Sequence, residues 1–183
     1  VLGLKMLGIP EGSGVILPAI TCATVIRSVL RADCRPVIVD VGDDLHIDLS
    51  LVRQERLEGV RAVIIPHLYG MSAPMERLVG WTSARGLRVV DDAAQAVGIG
   101  SNGRMLGTFG DIGILSFGPF KSVACPRGGA LIGGPAGPRA ATDSAGDGRA
   151  IVGSSLRAGS AGAGRQTGPP RRLSHPAAGS GRG

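Results

Sequence analysis

Arg61-Ala62-Val63-Ile64-Ile65-Pro66 and Leu87-Arg88-Val89-Val90-Asp91-Asp92 are two short, β-branched runs, and what lies between them decides the fold. Each run reads as a buried strand, and each ends in polar groups, His67 after the first and Asp91-Asp92 closing the second. Between them Pro74 suits a first helical turn. Met75, Leu78, Val79 and Thr82 then repeat at helical spacing, and Gly86 is placed to end the helix. Strand, helix and strand in this order make a βαβ unit, the building block of a parallel sheet.

The same alternation extends in both directions. Upstream, Val1 to Leu7 reads as the tail of a helix ended by Gly8, and Val15-Ile16-Leu17 as a short strand closed by Pro18. Thr21 is a candidate cap for a helix from Cys22 to Ala32, with Val25, Ile26, Val29 and Leu30 on one face. Pro36 to Val41 is predicted as the second strand. Asp48 is a predicted N-cap for a helix running to Leu57. Downstream, Gly98 to Gly110 reads as a glycine-punctuated loop, Ile112 to Phe117 as a fifth strand and Gly129 to Ile132 as a sixth. The expected class is α/β, with a mainly parallel sheet and helices on both faces. Ligands of such sheets bind beyond the carboxyl ends of the strands. His67, Asp92, Ser116 and Lys121 all fall there.

Composition narrows the function classes. The 183 residues carry 20 Lys and Arg against 14 Asp and Glu, a net charge of +6. The excess is concentrated late. Residues 1–134 hold 13 cationic and 12 acidic side chains, residues 135–183 hold 7 and 2. The basic character therefore says little about the folded part. Aromatic residues are scarce, so the core is expected to be aliphatic. Cys22, Cys34 and Cys125 show no metal-ligand spacing and suit a reducing, cytoplasmic compartment. No run reaches membrane-span length, so no membrane partner is expected. The chain starts at Val rather than Met, which fits a fragment or a processed product.

From Pro135 the sequence becomes Gly, Ala, Ser, Pro and Arg, with few aliphatic anchors. Such a stretch cannot bury enough apolar surface to offset its ordering entropy. Residues 1–134 are therefore expected to form the domain, and 135–183 a disordered tail or a non-native continuation such as a frameshift would encode. A basic nucleic-acid arm is the other possibility for the tail. Aromatic interleaving and RGG repeats are missing, so nucleic acid is an unlikely partner.

The chain has only two lysines, Lys5 and Lys121, every other cation being arginine. Lysine loses its proton far more readily than arginine when desolvated, and its amine can then attack a carbonyl. Lys121 follows an apolar strand in Leu115-Ser116-Phe117-Gly118-Pro119-Phe120-Lys121. A carboxylate such as Asp92 can keep the ring nitrogen of pyridoxal phosphate protonated, and a hydroxyl such as Ser116 can bind a phosphate. Each also has a plain alternative. Lys121 could be a surface lysine, Asp92 a helix cap before Ala93-Ala94-Gln95-Ala96, and Ser116 a satisfied hydroxyl. His67 reads as a hydrogen-bonded structural histidine, and Trp81 falls off the apolar stripe of its helix.

Val89-Val90-Asp91-Asp92-Ala93-Ala94-Gln95-Ala96, Gly110-Asp111, Ser116-Phe117 and Lys121 together resemble the DegT/DnrJ/StrS family. Pro36 to Val41, Pro66-His67-Leu68-Tyr69-Gly70 and Gly128-Gly129-Ala130 add to the resemblance, which covers residues 1–134. It implies a fold type I, pyridoxal 5'-phosphate-dependent aminotransferase large domain. The substrate would be a nucleotide-linked keto sugar, glutamate the amino donor, and the assembly a homodimer. By resemblance Lys121 is the Schiff-base lysine and acid–base group, and Asp92 pairs with the pyridine nitrogen. Gln95 lies near the ring and its 3' oxygen, and Ser116 contacts the phosphate. Four features depart from the family, one being the unusual run Ser122-Val123-Ala124-Cys125-Pro126-Arg127 between Lys121 and the Gly-Gly pair. The family's Gly-Ser/Thr phosphate loop normally precedes the helix at Val1 to Leu7. Cys22 stands where an aromatic residue often stacks on the ring. The small C-terminal domain is not recognisable after Pro135. A catalytically inactive, truncated remnant is therefore the alternative function.

Overall fold

The parity of side chains along the central strands organises the structure, a computed structural model that describes residues 1–119, 121–123, 125, 128–134 and the backbone of 150–153. Seven strands form one sheet: β1 (Gly14–Pro18), β2 (Arg35–Val39), β3 (Val60–Pro66), β4 (Arg88–Asp92), β7 (Ile112–Ser116), β8 (Gly129–Gly133) and β9 (Ala150–Gly153). A two-stranded hairpin, β5 (Gly100–Ser101) with β6 (Arg104–Met105), lies between β4 and β7. The order across the sheet is β2-β1-β3-β4-β7-β8-β9. The first four pairings are parallel, and β7/β8 and β8/β9 are antiparallel. The expectation of a mainly parallel sheet holds.

Successive residues of a strand point to opposite faces. Val15, Leu17, Ala62, Ile64 and Val90 therefore pack on one face, with Leu4 and Leu7 from around α1 (Leu2–Met6) and Val29 of α2 (Ala23–Leu30). Ile16, Val63, Ile65 and Val89 pack on the other, with Met75 and Leu78 of α3 (Met75–Ser83) and Phe109. Burial on both faces explains why β1 and β3 read as unbroken apolar runs. The core is aliphatic, as the composition requires.

Three readings need correction. Thr21 does not cap α2. Cys22 holds the N-cap position with extended backbone angles, and no side chain caps the helix. The helix expected after Asp48 is two short 3-10 turns, Leu49–Leu51 and Gln54–Leu57. Asp48 does act as a cap, accepting from the backbone N–H of Ser50 at 2.9 Å and the Ser50 hydroxyl at 2.7 Å. Residues 93–97 are turns rather than a helix. Within the tail, β9 is a paired edge strand, whereas residues 135–149 and 154–183, and Phe120 of the lysine loop, lie outside the described residues.

The loop between β4 and β7 lies tightly on the sheet. A Cβ at Gly113 would run into the carbonyl of Gly107, so β7 needs glycine there for the loop to seat. Asp111, after Gly110, accepts from Arg88 Nη1 and from the Val89 N–H, both at 2.7 Å. The Gly-Asp pair is thus a staple that aligns β7 with the start of β4.

Candidate active site at the carboxyl edge of the sheet

Parity separates the two neighbouring aspartates. Asp92 shares the face of Val90, where a cavity of about 390 Å³ opens beside α1 and α2, and Asp91 shares the face of Val89. The cavity lies beyond the carboxyl ends of β1, β3, β4 and β7, at the switch in strand order where α/β sheets bind ligands. Its volume falls in the ~300–1,000 Å³ range of small-molecule sites. Asp92, Gln95, Ser116 and Lys121 all line it, together with Thr21, Cys22 and His67. Ile64, Val90 and Ile114 add apolar surface to the lining.

Asp92 is 7% exposed. Its Oδ1 accepts from the Ala94 N–H at 3.0 Å, a local turn bond in place of the helix cap. Burial pushes its carboxyl above the ordinary carboxylate range, opposed by the Ala94 N–H and by the charge of Lys121. The raised value has a consequence for stability. The folded state retains the Asp92 proton at pH values where the unfolded chain has lost it. Stability from this group therefore falls as pH rises from the unfolded value through the raised folded one. Asp92→Asn keeps the Oδ1 acceptor and removes the buried charge. It is expected to raise the ligand-free melting temperature at neutral pH by a few degrees and to remove the fall in stability that this group contributes as pH rises from its unfolded to its folded value. Thermal unfolding across a pH series checks this, and an unchanged slope would rule Asp92 out as its source.

Gln95 Oε1 accepts from the backbone N–H of Tyr69 at 3.0 Å, tying the turn after Asp92 to the segment after β3. Its amide nitrogen takes no protein partner among the described residues and remains available to a ligand. The Ser116 hydroxyl likewise has no protein partner among them. Lys121 follows the end of β7, and its backbone N–H bonds the Gly118 carbonyl at 3.2 Å. Phe117 closes the base of this loop through Cys125 and Gly128, at 2.7 and 3.0 Å. The Cys22 Sγ lies 3.0 Å from Thr24 Oγ1, and that hydrogen bond, with Lys121 nearby, holds the thiol below its ordinary range.

His67 and Asp91 form a fully buried pair, Nε2 to Oδ1 at 2.7 Å. His67 Nδ1 accepts from the Ala73 N–H at 3.1 Å, so Nε2 carries the proton and donates it to Asp91. Asp91 Oδ2 accepts from the N–H groups of Gly107 and Phe109, at 2.9 and 2.8 Å. The main chain adds a bond from the His67 N–H to the Asp92 carbonyl at 3.0 Å. His67 is structural, as expected. Asp91 was legible only as Asp92's neighbour, and its function as a tether shows only in three dimensions.

Thr21 also passed unrecognised as a cavity residue. A cap preference was its only sequence signal, and it pointed elsewhere. Trp81 is half-buried against the core, with the Arg85 guanidinium 4.2 Å from its ring centroid.

The profile of the DegT/DnrJ/EryC1/StrS aminotransferase family matches residues 1–134. The chain belongs to this family. Among DegT/DnrJ/EryC1/StrS relatives, UDP-N-acetyl-3-dehydro-alpha-D-glucosamine 3-aminotransferase of Acidithiobacillus ferrooxidans is 36% identical over 132 residues. That match covers 72% of this chain and 36% of the relative. DesV of S. venezuelae, solved in complex with a ketimine intermediate, superposes with a TM-score of 0.65 at 34% identity. The superposition covers 72% of this chain and 36% of that one. Spr1654 of Streptococcus pneumoniae, solved in its PLP-form, gives 0.65 at 26% identity over 71% and 37%. The chain thus has a fold type I aminotransferase architecture and spans about a third of the length of these relatives. No helix among the described residues is long and apolar enough to cross a membrane.

Proposed function

We propose that this chain is the cofactor-binding part of a pyridoxal 5'-phosphate-dependent aminotransferase that acts on a nucleotide-linked keto sugar with glutamate as amino donor. The observation that carries this is the convergence of Lys121, Asp92, Ser116 and Gln95 on one cavity at the strand ends. The donor set fits the group. Lys121 and Asp92 line the same partly apolar chamber, and the buried Thr21 hydroxyl there lacks a protein partner among the described residues. When bound, pyridoxal phosphate supplies an electron sink that stabilises a carbanion next to nitrogen.

In this proposal Lys121 would hold the cofactor by its amine and serve as the acid–base group. Asp92, anchored by Ala94, would keep the pyridine nitrogen protonated. Ser116 would donate to the phosphate. Gln95, whose oxygen is engaged by Tyr69, would offer its amide N–H groups to the ring's 3' oxygen. Residues 1–134 form the domain that carries these groups, and 135–183 are not needed for them. The substrate and donor assignment rests on the sugar-aminotransferase relatives. A homodimer is supported by apolar side chains left exposed on adjoining loops, Tyr69, Met71, Ile99 and Met105. Ile99 lies against Gly70, and Met105 against Gly100, so the four side chains belong to one area. The free cysteines among the described residues fit a cytoplasmic setting.

The test is cofactor uptake. Purified chain mixed with pyridoxal phosphate is expected to gain a visible absorption band that borohydride removes, fixing the cofactor on the peptide that contains Lys121. One observation favours a second reading, an inactive remnant: no Phe, Tyr or Trp lines the cavity among the described residues, and Cys22 offers no ring to stack on the cofactor. A chain that stays colourless and binds nothing selects the remnant.

A further inference from the structure

We propose that Thr21 is a ligand-binding residue of this cavity, its hydroxyl donating a hydrogen bond to an oxygen of the bound cofactor. The inference rests on the cofactor assignment above. Thr21 Oγ1 is buried and has no hydrogen-bond partner among the described residues. The same residue lines the cavity with Asp92, Lys121 and Ser116. A buried hydroxyl left unpaired costs stability, and most such groups in native proteins find a partner. The obvious protein partner is the first turn of α2. Threonine is well suited to cap a helix, yet Cys22 holds the N-cap position and no side chain caps the helix. The oxygen is therefore kept free at the mouth of β1, the strand beside the switch in strand order. Pyridoxal phosphate carries acceptor oxygens on its ring and on its phosphate, and a threonine hydroxyl can donate to either.

The signature is a pair of effects with opposite signs. Thr21→Val keeps the shape and removes the unpaired polar atom. The ligand-free variant is expected to melt at the same temperature as the parent or higher. Its dissociation constant for pyridoxal phosphate is expected to rise roughly 3- to 30-fold. Thr21→Ser keeps the donor and is expected to bind within about threefold of the parent. Titration with pyridoxal alongside pyridoxal phosphate assigns the partner. Weakening with both probes places the hydroxyl on the ring oxygen, and weakening with pyridoxal phosphate alone places it on the phosphate. A Thr21→Val variant that binds as tightly as the parent overturns the inference. So does one that folds poorly, which would show that the hydroxyl has a structural partner. A parent chain that binds neither probe overturns the cofactor assignment, and Thr21 falls with it.

Discussion

Replacing Lys121 by alanine is expected to abolish covalent retention of pyridoxal phosphate while leaving the ligand-free fold intact. Lys121 is one of only two lysines, and the other, Lys5, lies in α1 and is exposed. Lys121 is half-buried, and the hydrogen bond it makes to Gly118 uses the backbone, which alanine keeps. Stability should therefore move by no more than about 0.5 kcal/mol. Loss of a positioned acid–base group typically costs ~10²–10⁴-fold in rate, so transamination by any assembly that contains this chain should fall at least that far. Two measurements check the result: borohydride trapping followed by peptide mass analysis, and chemical denaturation without cofactor. Trapping that persists in Lys121→Ala would place the reactive amine elsewhere.

The largest expected loss of stability is at Asp91. Its carboxylate gathers the His67 ring and the Gly107 and Phe109 amides, and all of these bonds are buried. Asp91→Ala leaves three donors without an acceptor in a site with no exposed side-chain surface. Each unpaired buried group costs about 1–3 kcal/mol, and partial relaxation limits the sum, so a loss of roughly 3–5 kcal/mol is expected. Domains are stable by only about 5–15 kcal/mol, so the variant should be near its folding threshold. Asp91→Asn keeps one acceptor oxygen but turns an amide toward a donor, and should fall between the parent and alanine. Urea unfolding at constant m-value measures the series. A cost below about 1 kcal/mol for Asp91→Ala would mean that the loop is held by packing rather than by this carboxylate.

How much of this was legible beforehand differs by residue. Lys121, Asp92 and Ser116 were visible because each sits at or just past the end of an apolar run, and chain order alone brings strand ends of a parallel sheet together, whereas Gln95 was visible only through the family resemblance. The 3-10 turns after Asp48 were not visible. A capping aspartate signals where a helical turn starts, as Asp48 does through its bonds with Ser50, but not how far the helix runs. Thr21 was misassigned for a related reason. Threonine and cysteine are neighbours before α2, and the cap belongs to whichever adopts the extended backbone angles, which here is Cys22. The pairing of β9 with β8 lay beyond any local pattern, because strand pairing depends on an edge that only the assembled sheet presents.

The sequence by itself determined the alternation of strands and helices, the aliphatic core on both faces of the sheet, and the family. These follow from residue periodicity and from an ordered set of short motifs, which survive without knowledge of contacts. Only the tertiary structure decided the separate fates of Asp91 and Asp92. Adjacent strand residues must point to opposite faces, but periodicity does not say which face is sealed by a loop and which is left open. Packing of α1 and α2 left the cavity on the side of Asp92, and the glycine loop closed over Asp91. The same packing left Thr21 lining that cavity, its hydroxyl without a partner among the described residues.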